Sequence, residues 1–208
     1  MKKILLVDDH FVVRSGMNGL LSEILKPCEI HEADSGETVT EKLKTNKYDL
    51  IMMDIQMPNT DTLGLMEYIH TKYPEARVLI FSMSPENIYA KRFLKAGAKG
   101  FISKEAVLDE IKKAINLVMN GRKYISESLA QSLAEESFSD KHENPFDKLS
   151  AREFEIFNLL MSGQAVKEMS NSLHLHTSTI GTHKARLFEK LGVSNILELK
   201  ELASSYKI

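Results

Sequence analysis

Leu50-Ile51-Met52-Met53-Asp54-Ile55-Gln56-Met57-Pro58 runs four apolar residues into an aspartate and then into a loop closed by proline. An apolar run this short, bounded by turn signals, reads as a fully buried strand of a parallel sheet with the acid at its carboxyl end. The pattern repeats outward in both directions. Ile4–Val7 leads into Asp8-Asp9, Val78–Ser82 ends on a serine, Gly100–Ile102 is followed closely by Lys104, and Glu29–Ala33 joins Leu50–Asp54 to make five candidate strands. The segments between them are each long enough for one helix. A βα alternation follows, which predicts a doubly wound five-stranded parallel sheet covered on both faces, with right-handed crossovers. Ser84-Pro85 predicts a helix start, with the serine as cap, and Ala96-Gly97 predicts a helix stop.

The chain has 208 residues, which favours two compact units. Apolar runs such as Val78-Leu79-Ile80-Phe81 fall far short of the roughly 20 residues that cross a bilayer. Asp8-Asp9 interrupts the N-terminal apolar stretch before a signal-peptide core forms, so a cytoplasmic location is expected. The single cysteine, Cys28, has no internal disulfide partner and reads as a buried structural thiol at the start of a strand.

Charge distribution separates three segments. Residues 1–124 carry 18 basic and 17 acidic side chains, residues 125–145 carry 1 and 5, and residues 146–208 carry 8 and 7. The middle segment, rich in serine and acid around Leu129 and Leu133, reads as an acidic linker with a helical start. Beyond it come four helical patterns and no strand candidate. The first opens on Ser150-Ala151-Arg152-Glu153, a capping box, and continues with Phe154, Phe157, Leu160 and Met161 at helical spacing. With both flanking units near electroneutrality, nucleic-acid binding there must come from a local basic patch.

In an open parallel sheet, ligands bind outside the carboxyl ends of the strands, where the strand order reverses. Asp8, Asp9, Asp54, Ser82 and Lys104 all fall at that edge. Converging carboxylates raise one another's pKa unless a cation neutralises them, and Mg²⁺ suits a site of few carboxylates, a backbone carbonyl and waters. Lys104 and Ser82 supply a positive charge and a hydroxyl donor. Together they describe a phosphoryl pocket beside a metal, with Asp54 as carboxylate nucleophile.

The stretches ILLVDDH (4–10), IMMDIQMP (51–58), VLIFSMS (78–84) and AGAKGFISK (96–104) resemble the receiver domain of two-component response regulators, a flavodoxin-like fold, over residues 2–124. The resemblance implies that Asp54 accepts a phosphoryl group from the phosphohistidine of a sensor histidine kinase. It implies that Asp8, Asp9, Asp54 and the Gln56 carbonyl bind Mg²⁺, and that Lys104 pairs with the phosphate. Ser82 would swing to bond that phosphate while Phe101 turns inward as the coupled aromatic. Two positions depart from the family pattern: Thr62 stands where a glycine is usual, and Glu105 where a proline often follows the lysine. A β-branched residue tolerates positive φ poorly, so a rearranged turn after Asp61 is expected.

On a helical wheel of Ser178–Leu191, Ile180, Leu187 and Leu191 share one stripe with Phe188 on its flank, while Thr182, Ala185, Arg186 and Glu189 lie opposite. Small, hydroxyl and basic residues on the exposed face suit a helix in the major groove. Over residues 146–205 the motifs Leu149-Ser150-x-Arg152-Glu153, Gly163, Lys167-Glu168, Thr179-Ile180, His183 and Lys190-Leu191-Gly192-Val193 resemble the helix-turn-helix domain of LuxR/NarL-type regulators. Double-stranded DNA is then the expected partner. Thr182, Ala185 and Arg186 are expected to read bases, with Thr179 and His183 beside them on the same helix, while Lys167, Lys184 and Lys190 bind phosphates. Gly181 replaces a usual basic residue, and Val166 a common asparagine. His174, His176 and His183 lack the cysteines or carboxylates that would complete a metal site.

The expectation is a receiver domain (1–124), an acidic linker (125–145) and a LuxR-type DNA-binding domain (146–208), in a NarL/FixJ-type regulator that dimerises when phosphorylated. It is not an enzyme, although a receiver catalyses its own phosphotransfer and dephosphorylation. An aspartate-based phosphohydrolase would need a second acid two residues after its nucleophile, where Gln56 stands. A vestigial receiver would not keep Asp8, Asp9, Asp54, Ser82 and Lys104 together.

Overall fold

The computed structural model describes residues 1–58, 60–138, 144–173 and 175–206. Two compact units emerge, Met1–Glu135 and Glu136–Ile208. In the first, strands β1 (Lys2–Val7), β2 (Cys28–Ala33), β3 (Leu50–Met53), β4 (Arg77–Ser82) and β5 (Gly100–Ser103) form one sheet in the order β2-β1-β3-β4-β5. Every pairing is parallel. The connections are α1 (Phe11–Ile24), α2 (Gly36–Thr45), α3 (Thr62–Lys72) and α4 (Glu86–Lys95), and α5 (Leu108–Met119) follows β5.

Period-two alternation sorts the strand side chains. Leu5, Val7, Ile51, Met53, Val78, Ile80 and Phe101 pack with Val39, Leu65, Ile69 and Phe93 from α2, α3 and α4. Ile4, Leu6, Leu50, Met52, Leu79, Phe81 and Ile102 pack on the other face with Leu21 of α1 and Ile111, Ile115 and Val118 of α5. Each such side chain contributes about 1.5–3 kcal/mol by leaving water. Covering both faces is what makes the strands apolar throughout. The chain winds outward from β1 to β2 and then returns to place β3 on β1's other side, so the crevice falls between the ends of β1 and β3.

Several local expectations change. Ser84 does not cap α4; Pro85 holds that position and makes no side-chain cap bond. The Ser84 backbone N–H donates to Ser82 Oγ (3.3 Å), and its own hydroxyl is buried 3.4 Å from that oxygen. The predicted stop is present, with Ala96 capping α4 and Gly97 at φ +111°. The turn at Thr62 is resolved without positive φ. Asp61 caps α3 by accepting from Gly64 N–H (2.8 Å), and Thr62 becomes the first helical residue, its hydroxyl donating to the Ile55 carbonyl (3.0 Å). A side chain at 64 would collide with the capping carboxylate, 2.5 Å from where its Cβ would stand. The glycine thus serves the cap. Cys28 is half-buried, with its thiol toward the Leu21 carbonyl at 3.8 Å.

The segment read as an acidic linker holds a helix, α6 (Glu127–Phe138), while residues 139–143 lie outside the described residues. Leu129 is buried in the same cluster as Ala90 and Phe93, with Leu133 packed against it. The Ser126 hydroxyl accepts from Leu129 N–H (3.1 Å) and donates to Glu86 Oε2 (2.6 Å), tying the start of α6 to the start of α4. Buried Leu129 and half-buried Leu133, four residues apart, give this largely polar helix the one apolar stripe by which it docks.

The second unit comprises a 3-10 turn (Pro145–Lys148), α7 (Ala151–Met161), α8 (Val166–Ser172), α9 (Thr177–Leu191) and α10 (Ile196–Ser205). The capping box forms as predicted, with Ser150 Oγ accepting from Glu153 N–H (3.3 Å) and Glu153 Oε2 from Ser150 N–H (2.7 Å). Phe154, Phe157 and Leu160 are buried, with Phe146 against Phe157 at a centroid distance of 5.0 Å. Gly192, left-handed at φ 66°, ends α9.

Candidate functional site

The register of the central strands assembles the pocket. Val7 pairs with Met53 and Ser82 with Ser103, so Asp8, Asp54, Ser82 and Lys104 reach the same edge. Asp54 Oδ1 accepts from Ser82 Oγ (2.6 Å), Ile55 N–H (2.6 Å) and Gln56 N–H (3.1 Å). Its Oδ2 accepts from Lys104 Nζ (2.6 Å), which also reaches Asp8 Oδ2 at 2.6 Å. Burial alone would depress the Lys104 ammonium, but its hydrogen bonds to Asp54 and Asp8 outweigh that and hold it above its ordinary range. Lys104 is a fixed positive charge bridging two buried carboxylates.

Asp8 Oδ1 accepts from His10 N–H (2.9 Å), closing the turn after β1. Arg14 donates to the Asp8 carbonyl (2.6 Å) and pairs with Glu32 (3.0 Å), which braces the same turn. Asp9 Oδ1 is buried and makes no hydrogen bond; His10 Nδ1 stands 2.9 Å from it. Three carboxylates against one lysine leave an excess of negative charge, and Asp9 Oδ1, which takes no hydrogen bond, is an oxygen that a cation would use. Ligand atoms of Asp8, Asp9, His10 and Asp54 all lie within 4.8 Å of one another, the one such group of metal-ligand side chains among the described residues. The donor set fits a divalent ion.

Ser82 is fully buried and already turned onto Asp54, and Phe101 is buried in the core below it. Both stand in the inward positions. The Gln56 side chain, by contrast, is exposed.

On α9 the wheel is realised. Ile180, Leu187 and Leu191 are buried, Phe188 is half-buried, and Thr182, Ala185, Arg186 and Glu189 are exposed. Thr179, His183 and Lys184 are half-buried, and Lys167 is exposed on α8. Lys184 Nζ lies over the Phe188 ring at 5.3 Å, and the Thr182 hydroxyl donates to the Ser178 carbonyl (3.1 Å). Lys190 departs from its expected role: its ammonium bonds Glu153 (2.7 Å) and the Lys148 carbonyl (3.2 Å), so its charge is already paired inside the domain. Of the three histidines, His176 caps α9, His183 has a buried Nδ1 without a hydrogen bond, and His174 lies outside the described residues.

Residues 4–116 match the family model of the response regulator receiver domain, and residues 147–203 that of the luxR family of bacterial regulatory proteins. The chain is a response regulator. Response regulator GacA of Pseudomonas syringae pv. syringae is 38% identical over 98% of this chain and 95% of its own length. Response regulator UvrY of Escherichia coli K12 is 34% identical over 98% and 94%. Among solved structures, RcsB of Salmonella enterica serovar Typhimurium, bound to the promoter rprA with a beryllofluoride phosphomimetic, aligns over 98% of both chains at a TM-score of 0.74 and 21% identity. That likeness is one of fold.

Two groups that shape this response regulator's pocket were not singled out from the sequence. His10 follows the acidic pair directly, so adjacency was the only available signal. Arg14 carried none, because Glu32 meets it only once β2 lies beside β1, and its other partner, the Asp8 carbonyl, is a main-chain acceptor that no side-chain pattern marks.

Proposed function

We propose that Asp54 takes a phosphoryl group from the phosphohistidine of a sensor histidine kinase and that the resulting change in residues 1–124 controls DNA binding or dimerisation by residues 146–208. The carrying observation is that Asp54 is buried, at the ends of adjacent strands, between a lysine and a hydroxyl at 2.6 Å each. One carboxylate oxygen attacks phosphorus as the bond to the imidazole nitrogen breaks, giving an aspartyl phosphate and a neutral histidine on the donor. Lys104 and Ser82, which now hold the two oxygens of Asp54, are placed to turn to the new phosphate oxygens, adding charge-assisted bonds to a group that carries about −1.5 to −2. That movement draws on the loops after β4 and β5, with Phe101 fixed beneath. Asp8, Asp9, Asp54 and the Gln56 carbonyl would hold Mg²⁺, which neutralises charge on the transferring phosphoryl group.

The output helix is α9, with Thr182, Ala185 and Arg186 toward bases, Thr179 and His183 beside them, and Lys167 and Lys184 toward phosphates. A dimer on paired half-sites in a cytoplasmic setting completes the reading; no helix among the described residues is long and apolar enough to cross a membrane.

The test is acetyl phosphate or a phosphorylated kinase with Mg²⁺, read by intact-protein mass. Wild-type protein should gain one phosphoryl group and Asp54→Ala none, with unchanged circular dichroism. Labelling of Asp54→Ala would overturn the assignment.

A further inference from the structure

Glu86 opens α4 and joins two parts of the receiver that lie far apart in sequence. Its Oε2 accepts from the hydroxyls of Ser126 (2.6 Å) and Ser128 (3.2 Å), which stand at the start of α6. Its Oε1 is buried and takes no hydrogen bond. Leaving a buried carboxylate oxygen unpaired is costly, a cost that a simple tether between two units would not incur. The start of α6 is fixed on a second side as well: Tyr124 pairs with Gly100 of β5 and donates its hydroxyl to Glu110 of α5 (2.7 Å). With Leu129 buried in the cluster that holds Ala90 and Phe93 of α4, polar and apolar contacts anchor the helix together.

We propose that docking of α6 supports phosphotransfer: through Glu86, a positioning residue, it holds the loop between β4 and α4 in the arrangement that keeps Ser82 on Asp54. This rests on the reading of Asp54 as the phosphoacceptor. A short run of contacts carries the effect. Ser82 Oγ donates to Asp54 Oδ1 (2.6 Å) and accepts from Ser84 N–H (3.3 Å), and only Pro85, with its fixed φ, separates Ser84 from Glu86. The loop between Ser82 and the Glu86 clasp therefore has few rotatable bonds in which to absorb a displacement. Ser82 on Asp54 and Ser126 on Glu86 are present together in this structure. A phosphoryl group that holds Ser82 inward thus favours the docked helix, and the docked helix favours phosphorylation. Linkage makes the two effects equal in size. Because α6 runs on beyond Glu135, where the receiver unit ends, the segment that leads to the DNA-binding residues is itself a determinant of how readily Asp54 is occupied.

Titration of the full chain with beryllofluoride in the presence of Mg²⁺, followed by fluorine NMR, tests this. Leu129→Ala, and the double variant Ser126→Ala with Ser128→Ala, should each bind beryllofluoride at least about fivefold more weakly than wild type. Restoring a hydroxyl as Ser126→Thr should recover most of the second loss. Ser132→Ala, on the exposed side of α6, should stay within about twofold of wild type. Reciprocally, beryllofluoride should slow hydrogen exchange in wild-type peptides spanning 127–134 by a similar factor. A purely structural role would lower the urea midpoint and leave the affinity where it was. Affinity within about twofold of wild type in either weakened variant, or α6 exchange that beryllofluoride leaves unchanged, would overturn the coupling. Beryllofluoride binding by Asp54→Ala as tight as by wild type would instead overturn the assignment of Asp54 on which it rests.

Discussion

Glu153 offers the sharpest quantitative test of how the DNA-binding domain is held together. It is buried, yet charged, and its Oε2 serves two donors at once: Ser150 N–H at 2.7 Å and Lys190 Nζ at 2.7 Å. Replacing it by alanine removes half of a capping box, worth about 1 kcal/mol. It also removes an ion pair whose lysine is 39% exposed and can return to water, so that part is screened and adds only about 0.5–1 kcal/mol. Glu153→Ala should therefore destabilise the domain by about 2 kcal/mol, a fall on the order of 10 °C in its Tm for a unit of this size. Glu153→Gln keeps an acceptor for Ser150 N–H and loses the ion pair, so it should lose about half as much. Hydrogen exchange of the full chain localises the effect, with peptides from α7 and α9 exchanging up to roughly 30-fold faster and those from β1 and β3 unchanged. If Glu153→Gln is as damaging as Glu153→Ala, the cap contributes nothing and the reasoning fails. Acid provides a cross-check. Burial alone would raise the Glu153 carboxyl, but the hydrogen bonds from Lys190 and Ser150 bring it below its ordinary 4.5. The stabilisation is thus complete above about pH 4.5 and is lost as pH falls through the lowered value.

Gly97→Ala should destabilise the receiver by at least about 1 kcal/mol, because φ there is +111° and the new Cβ would meet the His70 ring at 2.4 Å; an unchanged urea midpoint would contradict this. Arg186→Ala should reduce discrimination between operator and random DNA, whereas Lys184→Ala should weaken binding to both and lower the salt slope by about one. Parallel losses on all DNA for both variants would refute that division. Gln56→Ala should change the lifetime of the aspartyl phosphate more than Ser84→Ala does, since Gln56 is exposed beside Asp54, where water would approach the acyl phosphate, and Ser84 faces inward on Ser82; equal half-lives by mass spectrometry would show that the Gln56 side chain does not govern that approach.

All five strands and the wheel of α9 were legible because each is a local periodic signal. The apolar runs at 50–53 and 78–81 are interpretable without partners, and so is the Ser150/Glu153 box, whose two members sit within one helical turn. Where reading failed, a competing hydrogen bond decided, twice from within the same turn and once from another helix. Ser84 looks like a cap until Ser82 offers its backbone N–H a nearer acceptor. Thr62 looks like a strained substitute for glycine until the Asp61 carboxylate closes over Gly64 and makes it the first residue of α3. Lys190 looks like a free phosphate ligand until α7 brings Glu153 against it.

By itself the sequence determined that this chain forms an α/β receiver followed by a helical DNA-binding domain, and which residue types stand at the strand ends, since apolar period and composition are properties of neighbouring residues. Only the tertiary structure decided that Asp8, Asp54 and Lys104 share one buried ion cluster and that α6 packs into the receiver core. Such contacts form across 50 residues, as from Lys104 to Asp54, and depend on strand order and on rotamers chosen under close packing, which no local pattern encodes.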